Sequence, residues 1–230
     1  MLPVMNENRL PEEIKRKAIS LGASAAGIAP VESVLKTPSH RKDLKVQRRF
    51  KTGVFLVLAL EHSAANPSLD WWWGRGGTAG NRELLRICRS LQNWMKKRLG
   101  IGARILSYHV TKGGVFLKEA AVVAGLGCIG RNNLLITPRF GANVRLKAML
   151  LESDMDGDIP TGFDPCKDCA APCITACPQD AFHSGTYDRE ACNVQMLQDE
   201  ANRQPVPLGG EQTAIVTYCR ACEMACLNAA

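Results

Sequence analysis

The sequence predicts a mixed fold of the α+β (α/β) type, with a layered domain over residues 1–160 followed by a cysteine-rich domain over 161–230. Three observations carry this. Apolar runs of strand length alternate with helical periodicities through the first domain, which is the pattern of packed layers of both element types. The charge changes sign, with 25 Lys and Arg against 13 Asp and Glu up to residue 160 and 4 against 9 beyond it. Eight of the ten cysteines fall between positions 166 and 226. The charge step lies in "LESDMDGDIPTGFDP", which reads as the domain boundary.

A chain of 230 residues, 46% hydrophobic and 22% charged, can bury a substantial core. Its longest apolar run, "GVFLVLAL", falls far short of the roughly 20 residues a membrane helix needs. The start turns polar and charged within a few residues, so no apolar signal region is expected. These features predict a soluble cytoplasmic protein with no membrane partner. Basic runs such as "RKDLKVQRRFK" fit either an anionic partner such as RNA or solvated helix faces. No RNA-binding motif accompanies them, and the second reading is preferred.

The elements of the first domain follow in order. Apolar residues at 10, 14, 18 and 21 predict a helix over 7–22. "ASAAGIAPV" (23–31) and "GVFLVLAL" (53–60) predict buried strands. "NRELLRICRSLQNWMKKRLG" (81–100) predicts a helix whose last turn is basic and whose end is a glycine. "ARILSYHV" (103–110) predicts a strand, and "VFLKEAAVVAG" (115–125) a helix closed by Gly125. "TKGGVF" predicts free backbone amides at that helix start, with Lys112 beside them, or an ordinary glycine entry. "NLLIT" and "NVRLKAMLLE" flank "PRFGA" and predict a hairpin.

The second domain is read from its thiols. Cys166-x2-Cys169-x3-Cys173-x3-Cys177-Pro is followed by Cys192 alone and then by Cys219-x2-Cys222-x3-Cys226. Dense cysteine in a reducing compartment points to metal rather than to disulfides. Four-cysteine zinc sites pair two C-x2-C knuckles, whereas two-cluster ferredoxins use three close cysteines and a fourth before proline. The pattern here is of the second kind, with one extra residue between the second and third cysteines. Two [4Fe–4S] clusters need eight thiolates; the two runs supply seven, and Cys192 is the eighth in this segment. Borrowing across a pseudo-twofold gives one cluster Cys166, Cys169, Cys173 and Cys226, and the other Cys177, Cys192, Cys219 and Cys222. Exchanging Cys192 and Cys226 is the nearest rival.

"KEAAVVAGLGCIGRNNLLITPRFGANVRL" (118–146), followed by these runs, resembles the epoxyqueuosine reductases and the related cobalamin-dependent reductive dehalogenases. The resemblance implies a nitroreductase-like domain that binds a corrinoid, followed by a ferredoxin-like domain that passes electrons to its cobalt. It also implies the ligand assignment just given. A low-potential donor such as ferredoxin or flavodoxin would supply the electrons, and tRNA is the partner of the tRNA-modifying members. Three departures argue against epoxyqueuosine as substrate. "SYHVTKGGVFLKEA" lacks the aspartate those members place before the glycine motif, Cys128 replaces a tryptophan within it, and the extension after the clusters is missing.

Further candidates follow from this likeness. "GLGCIG" follows a helix instead of opening one after a strand, so it is no dinucleotide fingerprint. Its glycines permit close approach of a flat cofactor, or else form a helix C-cap and tight turn. Gly125, Gly127, Cys128, Gly130 and Arg131 are the expected cofactor-binding residues, joined by Trp72 from the aromatic stretch "DWWWGRGGTAGNR". The tryptophans alternatively cover a small satellite core. Tyr108 and His109, near the position of the absent aspartate, are the candidate catalytic acids. Cys88, on a buried helix face, is assigned no function. The expected activity is a cobalamin-dependent reductase with two [4Fe–4S] clusters and an unidentified substrate. The alternative is an electron-transfer or corrinoid-reactivating protein that serves a partner enzyme, and an RNA-binding module is a third reading.

Overall fold

The computed structural model describes residues 9–62, 72–73, 77–208 and 211–226. The chain forms two compact units that interleave in sequence. One takes the described residues up to Leu60, with Leu84–Gly127 and Leu146–Gly162; the other takes those of Glu61–Glu83, Cys128–Arg145 and Phe163–Ala230. The chain passes between units beside the expected boundary, between Gly162 and Phe163. It also crosses at four earlier points, after Leu60, Glu83, Gly127 and Arg145.

The first unit begins with α1 (Leu10–Ser20), which has proline in its first turn and buries Ile14 and Ala18 at helical spacing. Strand β1 (Ala25–Pro30) leads into three short helices, α2 (Val31–Leu35), α3 (Pro38–Lys42) and α4 (Leu44–Arg49). Asp43 caps α4 by accepting from the amides of Lys45 and Val46. Strand β2 (Val54–Glu61) is buried at seven successive positions. Val54, Leu56, Leu58 and Leu60 enter one core, and Phe55 packs edge-on against Phe50 at 5.1 Å. Burial of both faces explains the uninterrupted apolar run.

Strands β3 (Trp72–Trp73) and β4 (Gly77–Thr78) belong to the second unit. The long helix α5 (Ala79–Leu99) sends Leu84, Ile87, Leu91 and Met95 into the β2 core, a stripe repeating every three or four residues. Lys96, Lys97 and Arg98 fill its last turn, where the helix dipole favours cations. Strand β5 (Ala103–Ile105), helix α6 (Leu117–Val123), the β6 (Cys128–Ile129) and β7 (Leu135–Ile136) pair, and β8 (Val144–Leu151) follow. The larger sheet has the order β1-β2-β8-β5.

Two expectations need correction. The strand expected over 103–110 stops at Ile105. Residues 107–114 instead fold back on themselves through a 3-10 turn at 110–112, and Gly114 lies so close to the Ser107 carbonyl that a Cβ would sit 2.3 Å from it. The hairpin expected around "PRFGA" does not form, because β7 pairs with β6 and β8 joins the larger sheet. The turn is closed locally by mutual Thr137–Gly141 backbone bonds, which end the β7 ladder before β8 begins. Of the two readings of "TKGGVF", the ordinary glycine entry agrees better with the structure, because its amides are largely used. Those of Gly113 and Gly114 donate to the carbonyls of Val110 and His109, and that of Phe116 donates to His40.

The rest of the second unit comprises α7 (Pro172–Thr175), α8 (Arg189–Ala201), β9 (Gln204–Leu208), β10 (Glu211–Val216) and α9 (Ala221–Met224). A second sheet has the order β4-β3-β10-β9, all pairs antiparallel. Pro205 and Pro207 sit on its edge strand, where a missing N–H costs no ladder bond. The tryptophan strand therefore pairs with β10, through Trp72 with Val216 and Trp73 with Ile215.

Candidate metal centre

The first group of thiols is gathered by one loop and one short helix. The amide of Cys166 donates to the Asp164 side chain at 3.2 Å, and that of Cys169 to the Cys166 carbonyl at 3.4 Å. Ala171 then takes a left-handed conformation, φ 55°, and Pro172 opens α7, which carries Cys173 inward. This accounts for the extra residue between Cys169 and Cys173, because the left-handed step and the proline start of the helix need it. Cys166, Cys169 and Cys173 line a cavity with Cys226, and Ala171, Pro172, Ile136 and Arg131 complete its wall.

The second group is assembled from separate segments. Cys177 follows α7, Cys192 lies in the first turn of α8, and Cys219 and Cys222 flank the start of α9. The Asp188 side chain caps α8 through the amides of Glu190 and Ala191, fixing the helix that presents Cys192. The amide of Cys219 donates to Asp199 at 2.7 Å. Burial pushes the Cys222 thiol up to about 12, and the nearby Cys219, Cys177 and Cys192 add to the rise. Burial likewise raises Cys173, with Cys226, Cys166 and Cys169 as its thiol neighbours. The eight thiols thus fall into two sets of four, with Cys226 in the first and Cys192 in the second.

Burial and the neighbouring thiols therefore oppose ionisation of Cys173 and Cys222 in the metal-free protein. A bound metal core reverses that logic by supplying the positive charge. Soft sulfur donors in fours select zinc or iron–sulfur clusters. Among the described residues no three His, Cys, Asp or Glu side chains converge on a single ion position. Backbone amides already point at sulfur, from Ala171 to Cys169 Sγ at 3.4 Å and from Ala181 to Cys177 Sγ at 3.3 Å. Thiolate sulfur would accept these bonds more strongly. The donor set fits two cubanes.

The glycine motif divides between the units. Gly125, φ 69°, closes α6, and a Cβ there would lie 2.7 Å from the Ile159 carbonyl. Gly127 lies in the same unit, with φ 155°. Cys128 begins the small hairpin, and Gly130 starts its turn with Ile136 Cδ1 2.3 Å from where a Cβ would be. Arg131 donates to the Cys169 carbonyl at 3.1 Å and to that of Lys167 at 3.5 Å. The structure therefore brings Cys128, Gly130 and Arg131 to the first thiol set. Of residues 70–76, only the backbone pairing of Trp72 and Trp73 is described, so the role expected of Trp72 lies outside the described residues. Tyr108 and His109 stand in the 107–114 loop, Tyr108 56% exposed, with their rings edge to face at 5.6 Å.

Two buried polar clusters escaped the sequence reading. Behind the 107–114 loop, His40 Nδ1 lies 3.1 Å from Glu119 and Nε2 accepts from the Phe116 amide. Thr37 and the Ser39 amide also donate to Glu119, while Arg49 holds the carbonyls of Val110 and Gly114. In the second unit, Arg220 grips Glu223 through Nε at 3.1 Å and Nη2 at 2.9 Å, and reaches His62 Nδ1 at 3.1 Å. Neither cluster has a local sequence signature, because its members come from distant segments. Lys147 is a further buried group, its pKa lowered by burial, beside Cys88, whose thiol burial pushes up to about 12.

The His40 cluster makes stability depend on pH. Burial lowers the His40 pKa, and hydrogen bonds to Ser39, Thr37 and His40 outweigh burial to lower that of Glu119. Below the unfolded histidine value of ~6.5, the unfolded chain binds the proton more readily, so the His40 contribution falls as pH drops. The Glu119 contribution is present above ~4.3 and is lost on further acidification. Denaturant unfolding of a His40→Gln chain should lack the first phase, whose slope is at most about 1.4 kcal/mol per pH unit. Parallel curves for both chains between pH 5 and pH 7, ~1.5 units around the histidine value, would contradict this.

No family model matches the chain. Among curated proteins, the epoxyqueuosine reductase of Leadbetterella byssophila is 29% identical over 133 residues, covering 57% of this chain and 42% of that one. That of Gloeobacter violaceus is 32% identical over 127 residues, covering 54% and 39%. In these matches the chain spans about two fifths of its relatives' length. A crystal structure of epoxyqueuosine reductase with a modified tRNA-Tyr stem loop superposes with a TM-score of 0.68 at 18% identity, covering 97% of this chain and 66% of that one. A catabolic reductive dehalogenase in complex with 3-bromo-4-hydroxybenzoic acid gives 0.55 at 20%, covering 77% and 26%. No helix among the described residues is long and apolar enough to cross a membrane. In sequence this chain is similar to epoxyqueuosine reductases over about half its length, and it shares a fold with them and with the reductive dehalogenases.

Proposed function

We propose that this chain is an iron–sulfur oxidoreductase that carries electrons through two [4Fe–4S] clusters to a cobalamin, where a substrate is reduced. The observation that carries the reading is the division of eight thiols into two sets of four. Cys166, Cys169, Cys173 and Cys226 would hold one cluster, and Cys177, Cys192, Cys219 and Cys222 the other. Low-potential electron relay is what such clusters supply when bound. The chain's own part is to tune them, since amides donate to Cys169 and Cys177 sulfur and the Arg131 guanidinium lies in the wall of the first cavity. A ferredoxin or flavodoxin is the class of donor that suits them.

The corrinoid rests on likeness to the family, and its own chemistry would be reductive. The domain reading goes with it, a nitroreductase-like corrinoid domain over 1–160 and a ferredoxin-like one over 161–230. Close contacts inside the protein account for Gly125 and Gly130, so the motif by itself does not demand a flat ligand. Cobalamin titration is the test: a shifted corrinoid spectrum and quenched tryptophan fluorescence support the proposal. No change in either leaves a plain electron carrier for a partner enzyme.

Tyr108 and His109 would deliver the proton. The loop that carries them is pinned by Arg49, which donates to the Val110 and Gly114 carbonyls, and this suits a fixed donor. Tyr108→Phe or His109→Gln should slow turnover by ~10²–10⁴-fold while cobalamin still binds. Slowing of less than tenfold in both would assign the proton to water or to the substrate.

A further inference from the structure

We propose that Cys128 is a reserve ligand of the first cluster, able to replace Cys166 or Cys226 at the iron that either one leaves. The inference rests on the cluster reading above. Cys128 stands directly opposite Ile136 in the β6–β7 pair, and residues so paired share one face of a hairpin. Ile136 lines the cavity of the first thiol set. The buried patch formed by Ile136, Ala142 and Cys226 seats both Cys128 and Cys166, and neither Cys169 nor Cys173 belongs to it. Gly130 lets this happen, because a Cβ there would collide with Ile136. Burial raises the Cys128 thiol, and Cys166 and Cys226 are among the neighbours that raise it further.

Five thiols therefore meet where a cubane takes four. Of the two cysteines outside the ligand sets, Cys88 is sealed in the core of the other unit, and Cys128 alone adjoins ligands. The exchange is thiolate for thiolate. Cys128 would give its proton to solvent and supply its thiolate to the iron; the departing Cys166 or Cys226 sulfur would leave as thiolate and take up a proton. No electron is gained or lost, and the cluster keeps its charge.

The experiment compares anaerobically purified full-length chains. Wild type, Cys128→Ala and Cys226→Ala should each hold about eight irons, and the Cys128→Ala/Cys226→Ala double variant about four. Iodoacetamide followed by peptide mass mapping gives a second readout, independent of yield. Cys128 should be alkylated in wild type and protected in Cys226→Ala. A Cys226→Ala chain that falls to about four irons with Cys128 still alkylated overturns this inference alone. A wild-type chain nearly free of iron overturns the cluster reading as well.

Discussion

A Cys173→Ala chain purified without oxygen should hold about four irons in place of about eight, and Cys222→Ala should lose the complementary four. Cys173 is 6% exposed and lies on α7 inside the first thiol set, beyond the patch that seats Cys128, so no spare thiol stands beside it. Cys222 lies in the first turn of α9, in the second set. The reduced-state electron paramagnetic resonance spectra of the two variants should sum to roughly that of wild type, because each retains one cluster. Loss of all iron from both variants would mean that the eight thiols form a single cooperative site. Retention of all iron by either would remove that cysteine from the ligand set.

The second large effect concerns the ion pair beside the second set. Glu223→Ala should cost about 1.5–3 kcal/mol in unfolding free energy, since it removes two charge-assisted hydrogen bonds from the largely buried Arg220. Glu223 is 7% exposed and accepts twice from Arg220, whose Nη2 also meets His62, itself 1% exposed. Glu223→Gln, which keeps an acceptor without the charge, should recover part of the loss. Denaturant unfolding under anaerobic conditions measures both. A cost below about 1 kcal/mol for the alanine variant would make this a weak, solvent-screened pair.

The sequence announces those parts of the molecule whose cause is local. Strand β2 is legible because both its faces are buried, and α5 because its stripe, basic last turn and Gly100 all agree. The thiol sets are legible because most of their members fall in two short runs, Cys166 to Cys177 and Cys219 to Cys226. What depends on partners was not. "NLLIT" and "NVRLKAMLLE" both look like strands, but periodicity does not say that β7 pairs with Cys128 and Ile129 while β8 enters another sheet. "ARILSYHV" has strand propensity throughout, yet the strand ends at Ile105 and Arg49 holds the fold-back that follows through the Val110 and Gly114 carbonyls. The motif points Cys128 and Arg131 to a corrinoid, and nothing local in it shows that both also lie beside cysteines of the tail. Only the three-dimensional pairing makes them neighbours.

The most direct test is metal and sulfide analysis of the wild-type chain, purified anaerobically and recorded by electron paramagnetic resonance after reduction with dithionite. About eight irons and eight acid-labile sulfides per chain, with the signal of two interacting reduced cubanes, is the result predicted here. Zinc in stoichiometric amount with little iron and no labile sulfide would contradict it.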